Sequence, residues 1–295
     1  MTTSALTGGT ARATMIGFGA ILLWSLLALF TSASGGIPPF QLAAITFLIG
    51  GAAGSIGVLL RPGRAGALRQ PLSVWLLGVG GLFGYHALYF TALRLAPPAE
   101  AGLVNYLWPL LIVLFSAWLP GSRGLRPGHL LGAALGLAGV GVLFVGRDIA
   151  FAAAALPGYA AALAAAFVWA GYSVLSARAG AVPTEAVAGF CLATGGLSLL
   201  CHLALERTVW PQDPTSWAAI VLLGLGPVGA AFYLWDIGCK RGDVRLLGVA
   251  AYAAPLLSTL VLVAAGYAPA RPALALSCLL IVAGALCAVR ASRTK

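Results

Sequence analysis

Apolar residues run in ten long stretches, and the polar positions gather in the breaks between them, where Arg, Pro and Gly concentrate. Each stretch is close to the ~20 residues that a helix needs to cross a hydrocarbon core ~30 Å thick. Cutting the chain at this punctuation predicts ten transmembrane helices, over roughly 13–33, 37–60, 72–94, 98–119, 127–146, 157–178, 183–205, 215–239, 244–267 and 272–290. The longest connection without apolar character is about ten residues, which leaves no room for a soluble domain between spans. Residues 1–12 are polar and read as a disordered N-terminal tail, and 291–295 as a short C-terminal one. Arg12 ahead of the first stretch imitates a signal peptide, but nine further spans favour an uncleaved first helix.

The pattern is written twice. Trp24 and Pro38 stand fourteen positions apart, as do Trp169 and Pro183, 145 residues further on. Tyr106 and Pro109 recur as Tyr252 and Pro255, shifted by 146. The repeat divides the chain into a first half, 13–149, and a second, 150–290, of five spans each. Five is an odd number, so the second copy enters the membrane from the opposite side.

Loop charges agree with that inversion. Arg61, Arg64 and Arg69 follow span 2, whereas the matching loop after span 7 has Arg207 beside Glu206 and Asp213. The loop after span 3 has Arg94 and Glu100, and its counterpart after span 8 has Lys240, Arg241 and Arg245. With the N-terminus in the cytoplasm, 13 basic residues fall inside (Arg12, Arg61, Arg64, Arg69, Arg123, Arg126, Arg178, Lys240, Arg241, Arg245, Arg290, Arg293 and Lys295). Only 4 fall outside: Arg94, Arg147, Arg207 and Arg271. Short loops rich in Lys and Arg stay in the cytoplasm, so both termini are expected there. The fold class is therefore an all-α integral membrane protein, ten transmembrane helices in two inverted five-helix repeats around a central cavity.

Composition sharpens the exclusions. Charged residues make up 8% of 295 positions and hydrophobic ones 61%, with a mean hydropathy of +0.99. Soluble domains carry about 25% charged residues, so this chain faces lipid. The net charge of +10 is scattered between apolar runs without a dense basic tract, which argues against nucleic acid. Cys191, Cys201, Cys239, Cys278 and Cys287 form no CxxC and read as small core residues, with no disulfide or zinc framework. No Walker A motif is present, so ATP drive within the chain is not expected. A membrane-embedded enzyme needs a metal cluster or paired acids, and His86, His129 and His202 lie on different spans without a carboxylate partner. No cofactor, metal or obligate protein partner is called for. Gly50-x-x-x-Gly54, Gly80-x-x-x-Gly84 and Gly132-x-x-x-Gly136 read as close-packing faces between helices.

Counting half a span inward locates the bilayer centre near Trp24, Tyr85 and His86, Trp108 and Pro109, Trp169, Pro227 and Pro255. Trp and Tyr normally sit at the membrane interfaces. Several at one depth, drawn from both halves, point to a lined cavity. His86 with Tyr85 and Tyr89 shares a face of span 3, and an ionisable group at membrane depth is a functional candidate by default. Proline removes the bond to the carbonyl four residues back, so Pro109 frees that of Asn105, Pro255 that of Ala251 and Pro227 that of Leu223. Broken helices at this depth are where carriers place solute and hinges. The candidates are thus Trp24, Tyr85, His86, Tyr89, Asn105, Tyr106, Trp108, Trp169 and Tyr252 for substrate, and Pro109, Pro227 and Pro255 as hinges. No carboxylate lies at the midplane, and Asp236 sits four residues before Lys240 in an ion-pair spacing. Gradient-driven facilitated transport is therefore expected.

These features resemble the drug/metabolite transporter superfamily in its EamA branch, and Asn105-Tyr106-Leu107-Trp108-Pro109 is similar to the YddG-type aromatic amino acid exporters. The resemblance implies a basket of helices around a central cavity, in a bacterial-type inner membrane, exporting aromatic and other neutral amino acids by alternating access. That branch often carries an acidic residue near the end of span 4, where this chain reads Ser116-Ala117-Trp118-Leu119-Pro120, so no mechanism that needs that carboxylate transfers. The residues fit the same solute unaided: rings stack on an aromatic side chain, while Asn105, His86, hydroxyls and freed carbonyls meet the zwitterion. The alternative is a carrier of drugs or other small metabolites on this scaffold, coupled to protons through His86. The repeat is unequal in chemistry, since His86 maps to Phe232, Asn105 to Ala251 and Trp108 to Ala254, which places polar recognition mainly on spans 3 and 4.

Overall fold

The computed structural model describes residues 3–60, 65–119, 125–146 and 149–293. Fourteen α-helices follow one another among them: α1 Thr3–Trp24, α2 Leu27–Ala33, α3 Pro39–Leu59, α4 Leu72–Leu95, α5 Pro98–Asn105, α6 Trp108–Phe115, α7 Pro127–Leu143, α8 Leu156–Arg178, α9 Ala186–Leu205, α10 Pro214–Leu225, α11 Ala231–Arg241, α12 Val244–Ala250, α13 Ala253–Ala264 and α14 Ala273–Arg293. Proline opens α3, α5, α7 and α10. There its missing N–H is one of the donors that a helix start leaves unpaired anyway. Gly35, Gly146 and Gly266 adopt positive φ just after α2, α7 and α13, the left-handed turn that a side chain would oppose.

Nine helical runs among the described residues are long and apolar enough to cross a membrane, and α7 is a shorter apolar helix of 17 residues. Met15, Leu60 and Leu72 are each more than two-thirds exposed, as side chains are that face lipid. Helical backbone begins at Thr3, where the sequence led us to expect a disordered tail, and the Thr14 hydroxyl donates back to the Thr10 carbonyl within it. Of the basic residues used to orient the chain, Arg61, Arg64, Arg123, Arg147 and Lys295 lie outside the described residues, as does the side chain of Arg293. The described remainder still divides unevenly between the two ends of the bundle. Arg12, Arg69, Arg126, Arg178, Lys240, Arg241, Arg245 and Arg290 lie at one end, and Arg94, Arg207 and Arg271 at the other.

Helices pack most extensively as α7 with α14, α3 with α9, α4 with α8 and α1 with α11. Lipid supplies no hydrophobic drive between helices, so glycines let the backbones close. A Cβ on Gly17 would stand 2.9 Å from the Gly238 Cα, and one on Gly50 2.7 Å from the Gly229 Cα. One on Gly132 would stand 2.6 Å from the Gly284 carbonyl oxygen. The expected face at Gly80-x-x-x-Gly84 is not used this way: Gly80 meets open space and Gly84 only ordinary contact. On α4 the packing glycines are Gly78, against Phe190, and Gly81, against Tyr172.

Four runs break at one depth. α1 gives way to α2 at Ser25–Leu26, α5 to α6 at Tyr106–Leu107, and α12 to α13 at Ala251–Tyr252. Between α10 and α11 the chain makes a π turn over Gly226–Ala230, with Pro227 inside it. The carbonyl of Ala251 is not left open by Pro255, because the Ala254 N–H donates to it at 3.0 Å in a tightened turn.

Candidate functional site

The breaks surround a cavity of about 310 Å³. Its wall is made by Trp24, Leu27 and Ala28 of the α1–α2 run, Tyr85, His86 and Tyr89 of α4, Asn105, Tyr106 and Trp108 of the α5–α6 run, and Trp169 of α8. Pro227, Val228 and Phe232 of the α10–α11 run and Ala254 and Ser258 of α13 complete it. Eight of the nine sequence candidates therefore share one chamber, and none of its lining residues is formally charged at neutral pH.

Tyr252 is the exception. It is fully buried away from the chamber, packed on Gly136, and its hydroxyl accepts the Leu110 N–H at 3.1 Å. That N–H lies in the first turn of α6, where a helix has no partner of its own to offer. Tyr252 thus ties the α5–α6 break to the α12–α13 break. Among the candidate hinges, Pro227 lines the cavity, while Pro109 and Pro255 follow the breaks in the first turns of α6 and α13 and are buried.

Three of the polar side chains on the wall are held by hydrogen bonds that fix their orientation. The Trp24 indole N–H donates to the Pro227 carbonyl at 3.1 Å, tying α1 to the π turn. Asn105 donates its amide to the Tyr85 hydroxyl at 3.0 Å, and its Oδ1 is enclosed without a partner. His86 Nδ1 lies 2.7 Å from the Leu82 carbonyl. A carbonyl only accepts, so Nδ1 carries the proton and the neutral ring presents Nε2 as its free acceptor. The imidazole is wedged edge-on against Phe47 at 5.0 Å and Tyr85 at 5.1 Å, so its plane is fixed.

Tryptophan closes the chamber on one side. Trp24 and Trp169, the pair related by the repeat, meet edge-to-face at 5.7 Å, and Trp235 lies 5.1 Å from Trp24 and 6.1 Å from Trp108. Trp235 is buried and its indole donates to Ser173 Oγ at 3.0 Å. It was absent from the sequence candidates, although the 146-residue shift maps it onto Tyr89. Leu27, Ala28, Tyr89 and Ser258 lie the other way, toward the ends of α2, α4 and α13, and that is the side on which the cavity extends.

A buried ion pair lies beyond the tryptophans. Lys240 Nζ is 2.8 Å from the Asp236 carboxylate, with both side chains almost wholly enclosed. The ammonium also donates to the Val182 carbonyl at 2.9 Å, and Thr184 donates to Asp236 at 2.6 Å, so α11 is stitched to the α8–α9 connection. At the opposite end Glu206 accepts from the backbone N–H groups of Phe40 and Gln41, each at 3.1 Å, and pairs with Arg94 at 2.9 Å. His202 Nδ1 lies 3.0 Å from the same carboxylate, so the expectation that no histidine has a carboxylate partner is corrected. Glu206 thus caps the start of α3, and His202 holds its carboxylate in place. Among the described residues no group of three His, Cys, Asp or Glu is arranged to hold a metal ion.

A multi-pass helical membrane protein that encloses one uncharged, aromatic-walled chamber at the level of its broken helices has the build of a membrane transporter. Comparison with known proteins agrees with that class. The model of the EamA-like transporter family matches residues 11–145 and again 156–290, and the chain belongs to that family. It is 62% identical over 283 residues to the aromatic amino acid exporter YddG of Ancylobacter novellus, covering 95% of this chain and 98% of that one. The proteins of the same name from Salmonella typhimurium and Escherichia coli are each 29% identical, covering 84% of this chain and 86% of theirs. A solved crystal structure 61% identical to the chain superposes with a TM-score of 0.92, covering 96% of this chain and 98% of that one.

Proposed function

We propose that this transporter exports aromatic and other neutral amino acids by alternating access. The observation that carries the reading is the chamber itself, an aromatic wall with neutral polar groups and no formal charge. A cavity of about 310 Å³ is at the small end of the range of about 300–1,000 Å³ for ligand sites, which suits one small solute. Trp24, Trp108 and Trp169 stack on the solute's ring, while Asn105, His86 Nε2, the hydroxyls of Tyr85, Tyr89 and Tyr106, and Ser258 meet its ammonium and carboxylate. A solute with no net charge needs no fixed counter-ion, and burying an uncompensated charge is costly. The names of the relatives support the same substrate class.

The scaffold we infer has ten spans in two inverted five-helix halves. α7 with the apolar residues that follow it supplies the tenth, and the same family model fits each half. The packing pattern is what a two-fold axis in the membrane plane requires. α7 pairs with its equivalent α14 and α3 with its equivalent α9, while α1 with α11 exchanges with α8 and α4. The surplus of basic residues at the end where α1 begins supports cytoplasmic termini, in a bacterial inner membrane. The chamber then extends toward the outside, and the tryptophans with the Asp236–Lys240 pair close the cytoplasmic side. Opening that side turns the helices at Pro109, Pro227 and Pro255 and draws Lys240 away from Val182.

Counterflow in proteoliposomes tests this. Vesicles loaded with unlabelled phenylalanine should accumulate labelled phenylalanine, tryptophan and tyrosine, with no need for an imposed pH or voltage gradient. Exchange of a drug-like cation, and of no amino acid, would overturn the substrate class. The proton-coupled alternative through His86 predicts instead that an imposed pH gradient drives accumulation above equilibrium.

A further inference from the structure

A second concavity lies far from the chamber, on the outer surface where α1 meets α11 at the closed end. It has a volume of about 520 Å³ and is lined by Gly9, Arg12, Ala13, Ile16, Ile237 and Arg241. Its floor is apolar and its rim carries two exposed guanidinium groups. Three arginines near this end are held by acceptors of the protein. Arg126 donates to the Ala291 carbonyl, Arg178 to the Trp118 carbonyl and Arg245 to Ser116. Arg12 and Arg241 have no such acceptor among the described residues. Two unpaired cations lining one groove repel unless an anion lies between them.

Depth identifies the anion. Arg12 stands twelve residues before Trp24, about 18 Å at ~1.5 Å per residue, and Arg241 nine residues past Phe232, about 14 Å. Half of a hydrocarbon core is about 15 Å. With the aromatic chamber near the midplane, both guanidiniums reach the phosphate level of the leaflet, while Ile16 and Ile237, about 12 Å and about 8 Å from Trp24 and Phe232, lie below them at acyl-chain depth. We propose that this groove binds an anionic phospholipid, its phosphate bridging Arg12 and Arg241 and one acyl chain lying along the seam of α1 and α11. Basic pockets between membrane helices recognise headgroups by this chemistry. The seam is also where Gly17 meets Gly238 and where the Thr14 hydroxyl accepts the Asp243 N–H at 2.9 Å. A bound lipid therefore clamps the two helices that keep this end shut.

The test is native mass spectrometry of the purified full-length protein with phosphatidylglycerol or phosphatidylcholine of matched acyl chains. The wild type should retain one phosphatidylglycerol in clear preference. Arg12→Gln/Arg241→Gln should lose that preference, and Arg207→Gln/Arg271→Gln, with the same loss of charge at the opposite end, should keep it. Thermal melting in vesicles gives an independent readout: phosphatidylglycerol should raise the midpoint of the wild type but not of the Arg12/Arg241 variant. The proposal is overturned if the wild type shows no preference, if both double variants lose it equally, or if inorganic phosphate stabilises as well as the lipid does.

Discussion

Single-residue changes test whether the chamber recognises a ring. Truncating Trp169, His86 or Tyr106 to alanine removes one wall of the chamber, and aromatic contacts are worth about 0.5–1.5 kcal/mol beyond the area they bury. Each variant should lose about tenfold in phenylalanine transport while remaining folded in the membrane, as initial rates in proteoliposomes will show. Normal rates in all three would place the site elsewhere. Tyr252→Phe separates structure from recognition. It deletes one hydrogen bond, to the Leu110 N–H, and should cost about 1 kcal/mol of stability without changing which amino acids compete. At this scale the sequence was legible where depth and residue type were enough: eight of nine candidates line the cavity. It misplaced Tyr252 because the repeat conserves position along a span but not the direction a side chain takes around a broken helix. Tyr106 and Tyr252 occupy equivalent places, yet only Tyr106 faces the chamber. Trp235 was readable from its equivalence to Tyr89, whereas Ser258, a lone serine in an apolar span, gave no signal.

At the scale of helices and their junctions, ion pairs and caps hold one element to the next. Lys240 and Asp236 are both nearly inaccessible. Removing one partner of a buried pair leaves the other charge uncompensated, at a cost of about 3–5 kcal/mol. Asp236→Asn and Lys240→Met should therefore each lower the thermal midpoint strongly, and the double variant should recover part of the loss. Equal midpoints for all three would show that the pair does not hold α11 to the α8–α9 connection. Asp213 gives a milder, pH-dependent case at the start of α10. The Ser216 hydroxyl and backbone N–H hold its carboxyl below the usual carboxylate range. A lowered pKa contributes stability above the unfolded value and loses it as pH falls through the folded one, so this cap weakens only in acid. Nine of the ten expected spans match helical runs long and apolar enough to cross a membrane, and α7 falls short of that length. The breaks at Tyr106–Leu107 and Ala251–Tyr252 follow from Pro109 and Pro255, but the one at Ser25–Leu26 has no proline to announce it. Lys240 maps onto Arg94 under the same 146-residue shift, yet their partners differ, because Asp236 has Phe90 as its equivalent.

The whole molecule joins two halves that match one family model to an unsymmetric interior. α8 and α4 run unbroken past Trp169 and His86, while the equivalent α1–α2 and α10–α11 runs are interrupted. Polar groups fall on α4 and the α5–α6 run, and their counterparts Phe232, Ala251 and Ala254 are apolar, an imbalance already visible in the aligned halves. The sequence could not show how the two copies lock together, since Gly17–Gly238 and Gly50–Gly229 approach through space and not through spacing. Orientation has its own check: a fluorescent protein fused after Lys295 should fold and fluoresce in the cytoplasm, and a dark fusion in a well-expressed membrane protein would reverse the topology. Counterflow of labelled phenylalanine into phenylalanine-loaded proteoliposomes tests directly whether the uncharged aromatic chamber selects the solute. The wild type should show saturable uptake without any imposed gradient, with competition from tryptophan and tyrosine and none from lysine or glutamate, and Trp169→Ala should be about tenfold slower. Uptake unaffected by Trp169→Ala, or competition by charged amino acids as strong as by tryptophan, would contradict that selection.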